Sequence, residues 1–112
     1  MSETTPILIK TAESLQKQLS SDLELNEVEA PPSTQDYEAL VKWLTPYVAL
    51  LLNDHFEKLL QLLYRIDVSE DLFKEAIGQP KSDDVAASIA RLLVDRQIQK
   101  VQTKIKYSKK SL

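Results

Sequence analysis

The sequence predicts an all-α fold, an irregular bundle of four to five helices with a long C-terminal helix. Three observations predict it. Apolar residues recur at spacings of three and four along most of the 112 residues, which is the helical period. The chain has one glycine and five prolines, a poor composition for sandwiches, barrels and phosphate loops, which depend on tight glycine turns. No segment alternates polar and apolar residues as a half-buried strand does, and no internal repeat appears. With 43% hydrophobic and 28% charged residues, the composition provides for both a core and a solvated surface, as expected of a single helical domain over 1–112.

The elements follow in order. Thr5-Pro6 has the pattern of an N-cap followed by a first helical residue, where proline's missing N–H costs nothing. Leu8, Ala12, Leu15, Leu19 and Leu23 then mark one apolar stripe, predicting a helix over about 6–24. Residues 25–33 lose the periodicity and contain Pro31-Pro32. They read as an acidic linker that lets the first helix swing or exchange between copies. Ser33 and Asp36 suggest the start of the next helix, with Tyr37, Leu40, Val41 and Leu44 on its apolar face. Thr45-Pro46 either starts a new helix or kinks a continuing one. From Pro46 the stripe Val48, Leu51, Leu52, Phe56, Leu59, Leu60, Leu63 predicts one central core helix to about Arg65, with Leu52, Phe56, Leu59 and Leu63 buried.

Ser69, followed by Glu70 and Asp71, caps a short helix over 70–77, and Val68 is placed to staple onto Phe73. Gly78 falls where a left-handed C-terminal cap is wanted, with Pro80 just beyond. The last helix is expected over 83–106, about 36 Å long at 1.5 Å per residue, followed by a basic flexible tail at 107–112. A domain of this size has a radius of gyration near ~13 Å, so the end of that helix is expected to project or to pack on another chain. Val94, Ile98, Val101 and Ile105 continue the apolar phase there and are the candidate partner-binding residues.

Charge is distributed unevenly. Residues 91–112 hold seven bases and one acid, about +6, while residues 1–90 hold seven bases and sixteen acids, about −9. A basic end on an acidic body suits an anionic partner or an acidic protein surface, a second copy of the chain included. Lys100, Lys104, Lys106, Lys109 and Lys110 are the candidate anion-binding residues. They lack the interleaved aromatics that base stacking uses, since Tyr107 is the sole aromatic among them. Nucleic-acid binding through phosphates is therefore the alternative reading rather than the first.

Catalytic chemistry finds little support. There is no cysteine, which excludes disulfides and thiolate chemistry and fits a reducing compartment. His55 is the lone histidine, beside Asp54 and close to Glu57. A general base oriented by a carboxylate is one reading, and a polar-face residue on a helix is the better one. A zinc site wants three or four ligands, mostly cysteine and histidine, and this set cannot supply them. No catalytic, cofactor-binding or metal-ligating residue is therefore assigned, and no cofactor is expected. Helix 70–77, Gly78 and the helix from 83 have the outline of a helix-turn-helix reader. The turn is too long, however, and Asp83-Asp84 would face phosphates. Trp43, Tyr37, Tyr47, Phe56 and Tyr64 are expected at the core and its edge. The window Leu44–Leu63 is broken by Asn53, Asp54, His55, Glu57 and Lys58, so no membrane span is expected. Residues 1–6 have no positive region ahead of an apolar stretch and do not read as a secretory signal.

The stretch Leu62-Leu63-Tyr64-Arg65-Ile66-Asp67-Val68-Ser69-Glu70, with Asn53-Asp54 upstream, resembles a segment of small uncharacterised bacterial α-helical proteins. The likeness covers about a fifth of the chain. It implies a bacterial, cytoplasmic, helical protein and brings no activity with it. The apolar richness, the long last helix and the missing catalytic groups instead give the expectation of a non-enzymatic interaction or regulatory module that acts through helix faces and self-associates.

Overall fold

The computed structural model describes residues 4–22, 28–31, 36–78 and 82–110. These form α1 (Thr4–Lys17), a π-helical turn (Gln18–Asp22), α2 (Tyr37–Asp54), α3 (Phe56–Ile66), α4 (Glu70–Ile77) and α5 (Ser82–Lys110). The fold is all-α, with no strand among the described residues. The long helix α5 organises it, packing against each of the other four helices. At 29 residues α5 is about 43 Å long, close to the 46 Å longest dimension of the molecule.

The apolar stripe of α1 is buried as its spacing predicts: Leu8, Ala12, Leu15 and Leu19 all lie in the core. After Lys17 the helix winds as a π turn over Gln18–Asp22, with Leu19 fully buried in it, and the expected end at 24 lies outside the described residues. Leu23 lies outside the described residues. Thr11, also buried, donates its hydroxyl to the Ile7 carbonyl at 2.7 Å, so its polar group is satisfied within the helix.

The 25–33 segment is held down where it is described. The Glu29 N–H donates to the Tyr47 hydroxyl at 2.8 Å, and the Trp43 indole donates to the Glu29 carbonyl at 3.2 Å. The two rings stack edge to face, 5.6 Å between centroids, and Val28 packs on the core. These contacts tie Val28 and Glu29 to α2 and the core, while the expected 25–33 linker apart from residues 28–31 lies outside the described residues.

Asp36 caps α2, accepting the Glu38 N–H at 3.1 Å; Ser33, the other expected capping residue, lies outside the described residues. The helix then runs unbroken through Pro46. Proline cannot donate to the Lys42 carbonyl, but both residues are exposed, so solvent can take that acceptor. Thr45 turns its hydroxyl to the Val41 carbonyl at 2.7 Å. Leu40, Val41, Leu44, Val48 and Leu51 are the buried face.

The chain breaks at His55 instead, with φ −142° and ψ 57°. Its N–H closes α2 on the Leu51 carbonyl at 2.9 Å, and its own carbonyl receives the Lys58 N–H at 3.0 Å to open α3. One residue thus ends one helix and starts the next, and the expected single helix over 46–65 is two. Their packing partners show that they run in opposite senses along α5. Tyr37 and Glu38 at the head of α2 bond Asp95 and Arg91, whereas Ala49 and Leu52 near its end face Val85 and Ala86. α3 begins beside Val85 and ends with Asp67 bonded to Arg96.

Leu59, Leu62, Leu63 and Ile66 are buried on α3, but Phe56 is 43% exposed and Leu52 only partly buried. The core stripe follows Leu51, Leu59, Leu62 and Ile66, one residue behind the expected Leu52–Phe56 phase. The core stripe passes through position 55, where α2 stops, and leaves Phe56 on the rim.

α4 has the expected bounds, with Ser69 accepting the Leu72 N–H at 3.5 Å. Gly78 closes it with φ −74° and ψ 2°, which is not the left-handed cap expected. α5 remains helical through Lys110, so residues 107–110 extend the helix rather than form a tail.

Candidate interaction surface

The expected partner stripe on α5 is largely taken up by the molecule itself. Val94 is fully buried, Val101 is buried, and Ile98 packs partly buried against the same core. Ile105 is half-buried. Gln97, on the same face, is buried too, and its side-chain carbonyl lies 3.5 Å from the Gln18 amide of the π turn. Val94, Val101 and Gln97 thus seat α5 on its own neighbours, while Ile98 and Ile105 keep part of their surface exposed.

The basic residues of α5 are also partly committed. Arg91 makes a two-pronged ion pair with Glu38, both bonds at 2.8 Å, and lies 5.9 Å from the centre of the Tyr37 ring. The Tyr37 hydroxyl donates to Asp95 at 2.6 Å. Burial, reinforced by the Asp95 carboxylate, pushes the Tyr37 phenol up to about 12. The bonded Arg91 guanidinium holds Glu38 below the usual carboxylate range, and Glu38 raises Arg91 further.

Arg96 and Lys100 close the C-terminal end of α3. The Asp67 carbonyl accepts from Arg96 Nε at 3.0 Å, its carboxylate from the same guanidinium at 3.2 Å, and the Arg65 carbonyl from Lys100 Nζ at 2.9 Å. Cations belong there, because the last carbonyls of a helix carry partial negative charge and lack partners. Of the expected anion-binding set, Lys100 is therefore engaged within the chain. Lys104 and Lys106 are exposed, and the side chains of Lys109 and Lys110 lie outside the described residues.

The largest of the described hollows on the apolar surface lies toward the other end of α5. A groove of about 580 Å³ opens where the α2–α3 junction, the end of α4 and the start of α5 meet. Ala49, Leu52, Val85 and Ala86 line it, with Phe56 and Ile77 at its edges and Thr45 and Asn53 as polar contributors. Phe56 is 43% exposed and Ile77 41%. Asp54 and Glu57, on either side of the junction, are exposed as well. A smaller hollow of about 310 Å³ lies between the end of α3 and α4, walled by Tyr64 and Phe73.

His55 sits beside the groove, exposed, and contributes only its backbone to the junction. Among the described residues, no three of the histidine, aspartate and glutamate side chains converge as a metal site would require. No described helix is long and apolar enough to cross a membrane. No protein-family model matches the chain, and no curated protein or solved structure shows significant similarity to it.

Sequence reasoning missed Phe56 and Ile77 as surface residues. The signal was present for Phe56: Leu51, Leu59, Leu62 and Ile66 share one helical face, and Phe56 is about 100° off it. For Ile77 there was none, because its neighbours on the groove come from α2, α3 and α5.

Proposed function

We propose that the protein is a non-enzymatic interaction module that docks a partner protein in the apolar groove between the α2–α3 junction, α4 and α5. The observation that carries this reading is the pairing of two half-exposed large apolar side chains, Phe56 and Ile77, across an apolar floor. Water on such a surface is released when a partner covers it, and each buried apolar side chain contributes roughly 1.5–3 kcal/mol. A groove of about 580 Å³ receives two or three side chains of a partner helix, a common mode of helix recognition.

The test uses Phe56→Asp with Ile77→Asp, two exposed positions whose replacement spares the core. Capture of partners from native lysate is expected with the wild-type chain and lost with this double variant, while circular dichroism remains that of the native helix content. Equal capture by both proteins, or by neither, overturns the groove as the docking surface.

A further inference from the structure

We infer that the groove's occupant is the basic end of α5 from a second copy of this chain, with Lys104 and Tyr107, one helical turn apart on the same face, seated between Phe56 and Ile77. This rests on the proposed function and names its partner. Chemical fit is the first argument. Tyr107 is 66% exposed, and Lys104 and Lys106 beside it are exposed too. The aromatic ring and the Lys104 stem beside it on that face supply apolar area for the groove, while the ammonium groups stay at its edge. Asp54 and Glu57 wait at that edge, exposed, next to Phe56.

Reach is the second argument. Val85 in the groove and Tyr107 are 22 residues apart on one helix, so about 33 Å of continuous helix separates them. A copy cannot fold this end into its own groove, and the contact has to join two molecules.

Charge chooses the orientation. The segment 91–112 carries about +6 and the remainder about −9, and Arg91, Arg96 and Lys100 are bonded within the chain. Lys104 and Lys106 lie beyond those bonds and are positioned to meet carboxylates elsewhere. Groove against groove sets acids against acids, and end against end sets lysines against lysines. Only end against groove brings opposite charges together.

The chain has no cysteine, which permits a direct test. Asn53→Cys places a thiol in the groove, and Thr103→Cys places one on the face of the basic end that carries Lys104 and Tyr107. The two variants are mixed, one carrying a mass tag, and oxidised mildly. A mixed disulfide forms only where the two backbones approach within about 7 Å. Mixed product should exceed a control pair of Asn53→Cys with the α1 variant Lys17→Cys by about tenfold or more. It should fall several-fold at about 1 M salt, where the screening length is about 3 Å. Adding Asp54→Lys and Glu57→Lys to the groove copy should abolish it, and Lys104→Glu in the other copy should restore it. Mixed product no greater than the control, or unmoved by the charge reversal, overturns the inference. If the copies fail to cross-link yet lysate capture still depends on Phe56 and Ile77, the groove stands as a docking surface with a different occupant.

Discussion

Asp67 ends α3 with φ 66° and ψ 50°, in the left-handed region that an L side chain enters at a cost of about 1–2 kcal/mol. Its N–H bonds the Tyr64 carbonyl at 3.2 Å, and the Val68 N–H bonds the Leu63 carbonyl at 3.0 Å, the paired pattern of a Schellman cap. Arg96 holds the residue there from both its carbonyl and its carboxylate. Asp67→Val should therefore destabilise the protein by about 1–2 kcal/mol in urea unfolding, since a β-branched side chain tolerates this conformation least. Asp67→Asn, which accepts the conformation, should lose much less. Gly78 is the opposite case. Its φ of −74° suits any residue, and an added Cβ would meet nothing nearer than the Lys74 carbonyl oxygen at 3.5 Å. Gly78→Ala should stabilise by about 0.4–1 kcal/mol, because alanine narrows the unfolded ensemble without straining the fold.

Helix α3 shows how far periodicity reaches. Leu62 is fully buried and Phe56 is 43% exposed, so Leu62→Ala should cost about 2–5 kcal/mol and Phe56→Ala about 1 kcal/mol. Equal losses in chemical denaturation would show that the stripe runs through Phe56 after all. The stripes themselves were legible: Leu8, Ala12, Leu15 and Leu19 recur at helical spacing and are all buried. The bounds of α4 were legible as well, because the Ser69 cap and the acidic first turn are local signals. The break at His55 was not. Leu51 and Leu59 keep the same phase on either side of it, so a straight helix and a broken one have the same pattern. Packing on α5 separates the two. The left-handed Asp67 was hidden for a related reason, since the Arg96 that secures it lies 29 residues away. The join between α2 and α5 makes a further prediction. Folding holds on the Tyr37 hydroxyl a proton that the unfolded chain releases near pH 10.0, as burial and Asp95 raise its pKa to about 12. The stability this supplies is whole below pH 10 and is lost as pH rises toward 12. A phenolate absorbance titration should show a step near pH 12 that Tyr37→Phe removes. The stability gap between the two proteins should narrow over the same interval.

Across the whole molecule, α5 separates charge along its axis, and its interactions determine what that charge can still do. Arg91 and Arg96 pair with Glu38 and Asp67, and Lys100 caps the Arg65 carbonyl. Each serves a helix of the same chain, so a large part of the +6 carried by residues 91–112 is spent on internal contacts. Lys104 and Lys106 are exposed beyond those bonds, and the sequence places Lys109 and Lys110 further along the same helix. Four phosphate contacts on duplex DNA correspond to a log–log salt slope near −3.6, at about −0.9 per contact. The remaining 90 residues carry about −9 and repel the same polyanion within a screening length of about 10 Å at 0.1 M salt. Anisotropy titrations of a labelled duplex should therefore give binding no tighter than the ordinary non-specific range of about 10⁻⁴–10⁻⁶ M, equal for all sequences. The salt slope should be no steeper than about −3.6. A steeper slope would mean that Arg91, Arg96 or Lys100 exchanges its intramolecular partner for phosphate. That exchange would loosen the ends of α2 and α3 and show as a loss of helix signal on binding. A shallow slope with helix content intact is what a molecule whose arginines already hold its own helices should give.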